Sequence, residues 1–200
     1  MKPVWILLLP VLTLYSKVSA QHADSLHNEY QYYHFLNLEM GKANSRGYMQ
    51  LGYAIQKRRS YLKLKFDGIH EPIDIFGGIQ PKESTSASSA LFGKAVVLNS
   101  YHTFQFGAGV ALVEDISRGA FIRNTCTSWL CLGDDIYETI NRKNIGFPIE
   151  ARYNLTFSQH VGVSFSVNAN FNSLNTYSGF SLGLVFGRLR DKIEKPADKP

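Results

Sequence analysis

Hydrolytic chemistry is the first possibility that the residue types of this 200-residue chain raise. A serine nucleophile needs a histidine within hydrogen-bonding reach and a carboxylate that orients the histidine. The chain contains His102, His160 and Ser164, but their spacing brings no such trio together on one surface. The sequence also lacks a phosphate-binding glycine loop, a dinucleotide fingerprint and a zinc motif. We therefore predict no catalytic residue, no cofactor and no metal site.

The N-terminus has the features of a cleavable export signal. A basic start at Lys2 precedes an apolar run over 4–14, and small residues at 18–20 form a cleavage site before Gln21. We predict a signal peptide over 1–20; the alternatives are an uncleaved anchor and a buried N-terminal segment. Its removal takes away two lysines and no acid, which lowers the formal net charge from +5 to +3. A charge this small gives no support to a nucleic-acid partner.

Cys126 and Cys131 are the only cysteines in the chain. An exported chain meets an oxidising compartment, so we predict a disulfide that closes a small loop. A zinc site would need further ligands nearby, and a redox pair usually has the tighter Cys-x-x-Cys spacing. Both alternatives are therefore less favoured than the disulfide.

Alternation of apolar and polar residues is the main structural signal, because successive side chains of a strand point to opposite faces. It is clear in four segments: 103–113, 144–157, 161–172 and 179–187. It is noisier in four more: 32–41, 48–56, 61–67 and 90–98. No window after the N-terminus is long and apolar enough for a membrane helix. We predict an all-β fold of eight antiparallel strands.

The predicted connections differ in length at the two ends of the strands. Tight turns lie at 57–60, 99–101 and 158–160, whereas long loops lie at 69–89 and 115–143. Short turns at one end and long loops at the other are typical of transmembrane barrels of the outer membrane. Within the second loop, Trp129, Asp134 and Asp135 are our candidates for a surface contact.

The two faces of the strands predict which side meets lipid. An eight-stranded barrel has room inside only for side chains, so the small and polar set fits the interior and the bulky apolar set fits hydrocarbon. A soluble lipocalin-like barrel would have the opposite arrangement. We expect five aromatic residues near strand ends to form an interfacial girdle: Tyr101, Tyr153, Phe157, Tyr177 and Phe180.

Charged residues also fall on the predicted inner face. They are Glu39, Lys63, Lys65, Glu150 and Arg152. Charges in a narrow lumen are costly unless they are paired, so a plugging salt-bridge network is the first expectation. A gated proton or ion path is the alternative, and the same residues would serve it.

With its predicted signal peptide, the Gly107-x-Gly109 pair and the closing strand over 179–187, the chain resembles the small outer-membrane β-barrels, similar in architecture to OmpX and the OmpA transmembrane domain. The resemblance implies an eight-stranded antiparallel up-and-down transmembrane β-barrel over 21–190 in the cell outer membrane, followed by a charged periplasmic tail over 191–200. It implies contact with outer-membrane lipids and lipopolysaccharide. It also implies assembly by the barrel assembly machinery, which reads an aromatic residue near the C-terminus, here Phe186.

Function is expected in the long loops on a rigid barrel, as a structural or surface-binding role with an unknown surface ligand or protein partner. The alternative is a narrow pore or an accessory subunit for transport or secretion. A lipid A modifying enzyme is less favoured because the sequence supplies no hydrolase trio. A soluble lipocalin-like binder is less favoured because the strands lack a charged face that could be exposed to water.

Overall fold

The computed structural model describes residues 32–71, 79–125 and 135–189. The predictions that lie outside the described residues concern the signal peptide at 1–20, the tail at 191–200, Cys126, Cys131, Trp129 and Asp134. Within the described ranges, no helix is long and apolar enough to cross a membrane.

Eight long strands make up nearly all of the described chain. They are β1 (Tyr32–Ala43), β2 (Arg46–Lys57), β3 (Ser60–His70), β4 (Ser84–Val97), β5 (His102–Asn124), β6 (Asp135–Thr156), β7 (Val161–Phe171) and β8 (Tyr177–Arg188). A further two-residue strand, Ile79–Gln80, pairs in parallel with the start of β6.

The sheet closes on itself. Each long strand pairs antiparallel with its neighbour in sequence, and β8 returns to pair with β1 through Leu38 opposite Leu184. Closure satisfies the backbone of the two strands that would otherwise be edges, which lipid could not do. The predicted eight-stranded up-and-down barrel is thus confirmed.

Burial alternates along the strands with the predicted phase. On β3, Lys63 and Lys65 are buried, whereas the alternate residues Leu62 and Leu64 are exposed. The exposed set includes the bulkiest apolar side chains of the barrel, and Leu112 is 71% exposed. A soluble barrel would bury these side chains, so the exterior is built for hydrocarbon and the soluble lipocalin-like alternative is excluded.

The predicted boundaries of the two long loops are wrong. Strand β4 begins at Ser84, inside the predicted loop 69–89, while β5 continues to Asn124 and β6 begins at Asp135. Most of the predicted loop 115–143 is therefore a strand pair. Burial ceases to alternate over 114–124, because a strand pair that leaves both membrane and lumen has two wet faces and no apolar period.

The opposite end of the barrel carries tight connections. Arg58 and Arg59 form the β2–β3 turn, with Arg58 at a φ of 53°, and the β4–β5 and β6–β7 turns span 98–101 and 157–160. The barrel's first and last strands also begin and end here, at Tyr32 and Arg188. In outer-membrane barrels this is the periplasmic end.

Candidate functional site

A network of charged side chains fills the middle of the lumen. Glu39 enters from β1, Glu150 and Arg152 enter from β6, and Lys63 and Lys65 enter from β3. The structure places all five predicted residues inside, and none is more than 1% exposed. Sequence reasoning missed a sixth member, Asp67, although it shares the period-two phase of the two β3 lysines.

Glu150 is at the centre of this network. Lys63 Nζ donates to both carboxylate oxygens of Glu150 at 2.8 Å. Lys65 Nζ lies 3.9 Å from Oε2 of the same carboxylate, and Arg152 Nη2 lies 3.3 Å from Oε1. One carboxylate thus holds three cations, and a second acid must balance the excess positive charge.

Glu39 supplies part of that balance at the seam where the barrel closes. Arg152 Nη2 lies 2.7 Å from Glu39 Oε1, and three serine hydroxyls donate to the carboxylate, from Ser164 at 2.8 Å, Ser166 at 2.5 Å and Ser181 at 2.7 Å. The Arg152 contact is an ion pair without hydrogen-bond geometry, since no guanidinium N–H has a hydrogen-bond acceptor among the described residues. Glu39 therefore joins β1 to strands β6, β7 and β8.

Asp67 extends the network towards the extracellular end. Lys65 Nζ lies 3.5 Å from Asp67 Oδ1, and the hydroxyls of Tyr48, at 3.3 Å, and of Tyr177 donate to Oδ2. The prediction that Tyr177 belongs to an outer aromatic girdle is wrong, because its side chain is 1% exposed and faces the lumen. Its hydroxyl is needed beside a buried carboxylate, where an unsatisfied acceptor would be costly.

Three carboxylates and three cations give the buried network no formal net charge. Buried charges are tolerated when each is paired and its remaining polar atoms are hydrogen bonded. Gly52 creates space for it, since a Cβ there would lie 2.6 Å from both Lys63 Cε and Asn37 Oδ1. The network is packed tightly enough that even one methyl group would displace it.

Apolar clusters cover both ends of this polar layer. Phe35, Ala54 and Val185 pack together at the periplasmic end, with Leu189 against them. At the extracellular end the cluster consists of Ala43, Tyr48, Ile69 and Tyr177. The charges are therefore separated from water on both sides by buried apolar side chains.

The remaining predicted girdle residues lie on the outside. Tyr101, Phe157 and Phe180 are exposed near strand ends. Tyr153 is partly covered, because its ring packs 4.9 Å from that of Phe104 and its hydroxyl lies 2.5 Å from His102 Nδ1. The two tyrosine rings have the amphipathic character expected at a membrane interface.

The residues considered for hydrolytic chemistry each have a different partner. His102 pairs with Tyr153, Ser164 bonds Glu39 in the lumen, and His160 Nδ1 lies 3.1 Å from the Gly187 carbonyl in an exposed turn. The structure does not bring them together.

Strand register places a different serine, histidine and glutamate on the outer face of β3–β5. Ser86 lies opposite Gly68 and Glu114, and the His70 ring folds over Gly68, with Nε2 2.9 Å from where a Cβ would stand. The serine is between the other two, so the histidine does not link it to the carboxylate as a triad requires. Glu114 instead accepts from Asn141 at 2.6 Å.

Beyond the barrel, β5 and β6 continue alone as a hairpin, here called the β5–β6 extension (117–124 and 135–140). The last β4–β5 pair is Ser84 with Ile116, and the first β6–β7 pair is Phe147 with Phe171. The β5–β6 ladder nevertheless runs to Asn124, eight residues past Ile116. At about 3.3 Å per residue this is about 26 Å of additional strand.

The segment between β3 and β4 is fastened to this extension. Ile79–Gln80 pairs with Asp135–Ile136, Arg118 Nε donates to the Pro81 carbonyl at 3.1 Å, and Arg118 forms an ion pair with Glu71. Asp135, a predicted surface contact, accepts a hydrogen bond from Asn124 at 2.6 Å. The described parts of the β3–β4 and β5–β6 connections thus contact each other.

In the part of the chain that the structure describes, no group of three or more histidine, cysteine or acidic residues could hold a metal ion.

No protein-family model and no curated protein matches the chain. Among solved structures, Neisserial surface protein A (NspA) superimposes with a TM-score of 0.55 and 10% identity, covering 78% of this chain and 96% of that one. The N-terminal β-barrel domain of Pseudomonas aeruginosa OprF gives 0.53 and 10% identity, with coverage of 78% and 96%. The outer membrane enzyme PagL gives 0.43 and 12% identity, with coverage of 76% and 98%. Identities this low bear on fold and leave activity open. Together with the apolar exterior and the closed sheet, the matches to NspA and to the OprF barrel domain show that this chain has the fold of the small eight-stranded outer-membrane β-barrels.

Proposed function

We propose that this protein is a non-catalytic outer-membrane barrel that holds the β5–β6 extension outside the cell as a binding surface. The observation that carries the proposal is the continued β5–β6 ladder, supported by Ile79–Gln80 and Arg118, well past the end of the barrel. A hairpin supported in this way is a rigid platform, and binding sites are commonly carried by such segments on a barrel.

Export through a cleaved signal peptide at 1–20 and folding by the barrel assembly machinery belong to this proposal. In the membrane, the apolar exterior contacts lipid and lipopolysaccharide. Function at the surface then depends on the extension and its tip, where Trp129 and Asp134 remain our predicted contacts.

A sealed lumen accords with this role better than conduction does. The six charges are mutually neutralised, and the Phe35 and Tyr177 clusters separate them from water at the two ends. An ion entering this space would have to displace paired charges and buried apolar side chains. We therefore expect planar bilayers with the refolded protein to show no discrete conductance steps, and regular steps would favour the pore alternative.

The absence of catalysis is also part of the proposal. Ser86 has Glu114 on one side and His70 on the other, which does not provide a serine with a general base oriented by a carboxylate. Mass analysis of lipid A from cells with and without the gene tests this absence of catalysis. Loss of an acyl chain from lipid A that requires both the gene and Ser86 would contradict it.

The binding role is tested by removing the extension alone. Ser117 and Ile140 form a directly opposed pair, so replacing 118–139 with Asn-Gly should close the hairpin with a two-residue turn and leave the barrel intact. Heat-modifiable gel migration checks that this variant folds.

Cells displaying either form are then compared on three immobilised probes: outer-membrane vesicles of the same strain, denatured casein and dextran sulfate. We expect the intact protein to increase adherence to at least one probe and the shortened variant to lose that increase. Equal adherence of both forms to all three probes would refute the proposed role.

A further inference from the structure

The described residues at the periplasmic end of the barrel are strongly basic. Five exposed cations lie there: Lys57, Arg58, Arg59, Lys94 and Arg188. None of the described residues at this end, 32–36, 53–62, 91–106, 153–164 and 183–189, is an aspartate or glutamate. The extracellular end, in contrast, mixes both signs in pairs such as Arg46–Glu83 and Arg118–Glu71.

Strand pairing gathers these cations on one side of the barrel. Lys94 lies opposite Ser60 and donates to its hydroxyl at 3.0 Å, and the Ala95 amide donates to the Arg59 carbonyl at 2.8 Å. Lys57 is opposite Tyr32 and its Nζ is 4.9 Å from the centre of that ring. The β2–β3 turn and the end of β4 thus form one basic cluster beside an interfacial tyrosine.

An apolar groove of about 440 Å³ begins at this cluster and runs along the lipid-facing wall. The outward side chains that line it are Phe92, Lys94, Phe106, Ala108, Ile149 and Ala151. Register puts Ala108 opposite both Phe92 and Ile149, and Ala151 opposite Phe106. The two alanines therefore form a floor between larger walls, with a cation at one end.

We propose that this groove and basic cluster form a binding site for an anionic phospholipid of the periplasmic leaflet. One acyl chain lies over Ala108 and Ala151 between the aromatic walls, and the headgroup phosphate contacts Lys94 and the adjacent β2–β3 turn. The site is on the membrane-embedded face at the end opposite the β5–β6 extension, and is independent of any surface ligand.

Charge complementarity favours an anionic lipid over a zwitterionic one. The cations of this cluster attract the phosphate of either lipid and repel the ammonium of phosphatidylethanolamine, whereas phosphatidylglycerol carries no ammonium. Lysine and arginine near an anionic membrane surface each contribute about fivefold to partitioning. The aliphatic stem of Lys94 can cross the end of the groove while its ammonium remains at headgroup depth.

The test is native mass spectrometry of the full-length protein in detergent with equal amounts of phosphatidylglycerol and phosphatidylethanolamine. We expect wild type to retain phosphatidylglycerol preferentially. R59Q with K94Q should lower its occupancy about fivefold for each cation removed. A108F, which fills the groove without changing charge, should lower it as well, while glycerol phosphate should compete weakly because it lacks the chain.

Two controls match these changes elsewhere on the barrel. R142Q with K143Q removes the same charge at the extracellular end, and A169F adds the same ring to the outer face of β7. Both should retain lipid as wild type does, and heat-modifiable migration verifies folding of every variant.

If R59Q with K94Q, or A108F, retains as much phosphatidylglycerol as wild type, the proposed site is refuted. An equal loss in either control would also refute it. Sedimentation with purified peptidoglycan tests the competing assignment. If R59Q with K94Q loses binding to peptidoglycan but still retains lipid, the basic cluster binds that polymer and the lipid site is refuted. None of these readouts depends on the extension, so their failure leaves the proposed surface role standing.

Discussion

Removing the charge of Glu39 should strongly destabilise the barrel. Its carboxylate lies 2.7 Å from Arg152 and accepts hydrogen bonds from Ser164, Ser166 and Ser181. Glu39→Gln keeps the shape but leaves the buried network with one excess positive charge. Breaking a buried ion pair from one side costs about 3–5 kcal/mol. We therefore expect the free energy of unfolding to fall by about that amount.

Arg152→Met provides the second arm of a double-mutant cycle. Alone, Arg152→Met removes a cation from beside Glu39 and Glu150 and should lower the free energy of unfolding by a similar amount. The double variant, Glu39→Gln with Arg152→Met, makes the network neutral again. The pair should therefore cost less than the sum of the two single changes, by about 1–3 kcal/mol.

Equilibrium unfolding in urea, performed in lipid vesicles and read by heat-modifiable migration, measures all three variants. Glu114→Gln is the control, because this carboxylate is partly exposed at the extracellular rim and its ion pair with Lys143 spans 3.7 Å. It should cost less than about 1 kcal/mol. The reasoning is refuted if Glu39→Gln costs no more than this control, or if the two network changes are additive.

Three further outcomes follow from the packing. Gly52→Ala should lower the free energy of unfolding by about 1–3 kcal/mol in the same urea assay, because its methyl group would overlap Lys63 and Asn37. Gly47→Ala should be nearly neutral, because a Cβ there would lie 3.7 Å from the His70 carbonyl, an ordinary contact distance. Leu38→Arg on the lipid face should cost about 2–4 kcal/mol, and a cost close to that of Asn124→Arg on the extension would contradict the assigned membrane face. Arg118→Ala should speed proteolysis of the segment 71–83 without altering barrel stability, and unchanged cleavage would show that the Glu71 and Pro81 contacts do not hold it.

The strands could be predicted because lipid and lumen impose opposite demands on alternate positions. The same alternation predicts five of the six charged residues of the lumen network. It also predicts that Tyr177 faces the lumen, because Tyr177 is an even number of residues from the inward-facing Ser181. We assigned Tyr177 to the outside on account of its aromatic ring, yet a tyrosine hydroxyl near a buried carboxylate is better placed inside. The phase was a better guide than the residue type.

Other features could not be predicted because they depend on strand register or on contacts between distant segments. Beyond the membrane the period disappears, so the β5–β6 extension looked like a loop. The proximity of Lys94 to the β2–β3 turn, or of Ser86 to Glu114, requires knowing which residues face each other across strands, and that is fixed only when all eight strands pair.

Glu39 lies on the first strand of the barrel, and its hydroxyl donors lie on the last two. Until the cylinder shuts, this carboxylate has no partners from that direction, and the serines have no acceptor. A sheet left open between β1 and β8 would therefore leave the Glu39 carboxylate without its three serine donors. Pairing of β1 with β8 closes the barrel and also completes the hydrogen bonds of this buried carboxylate.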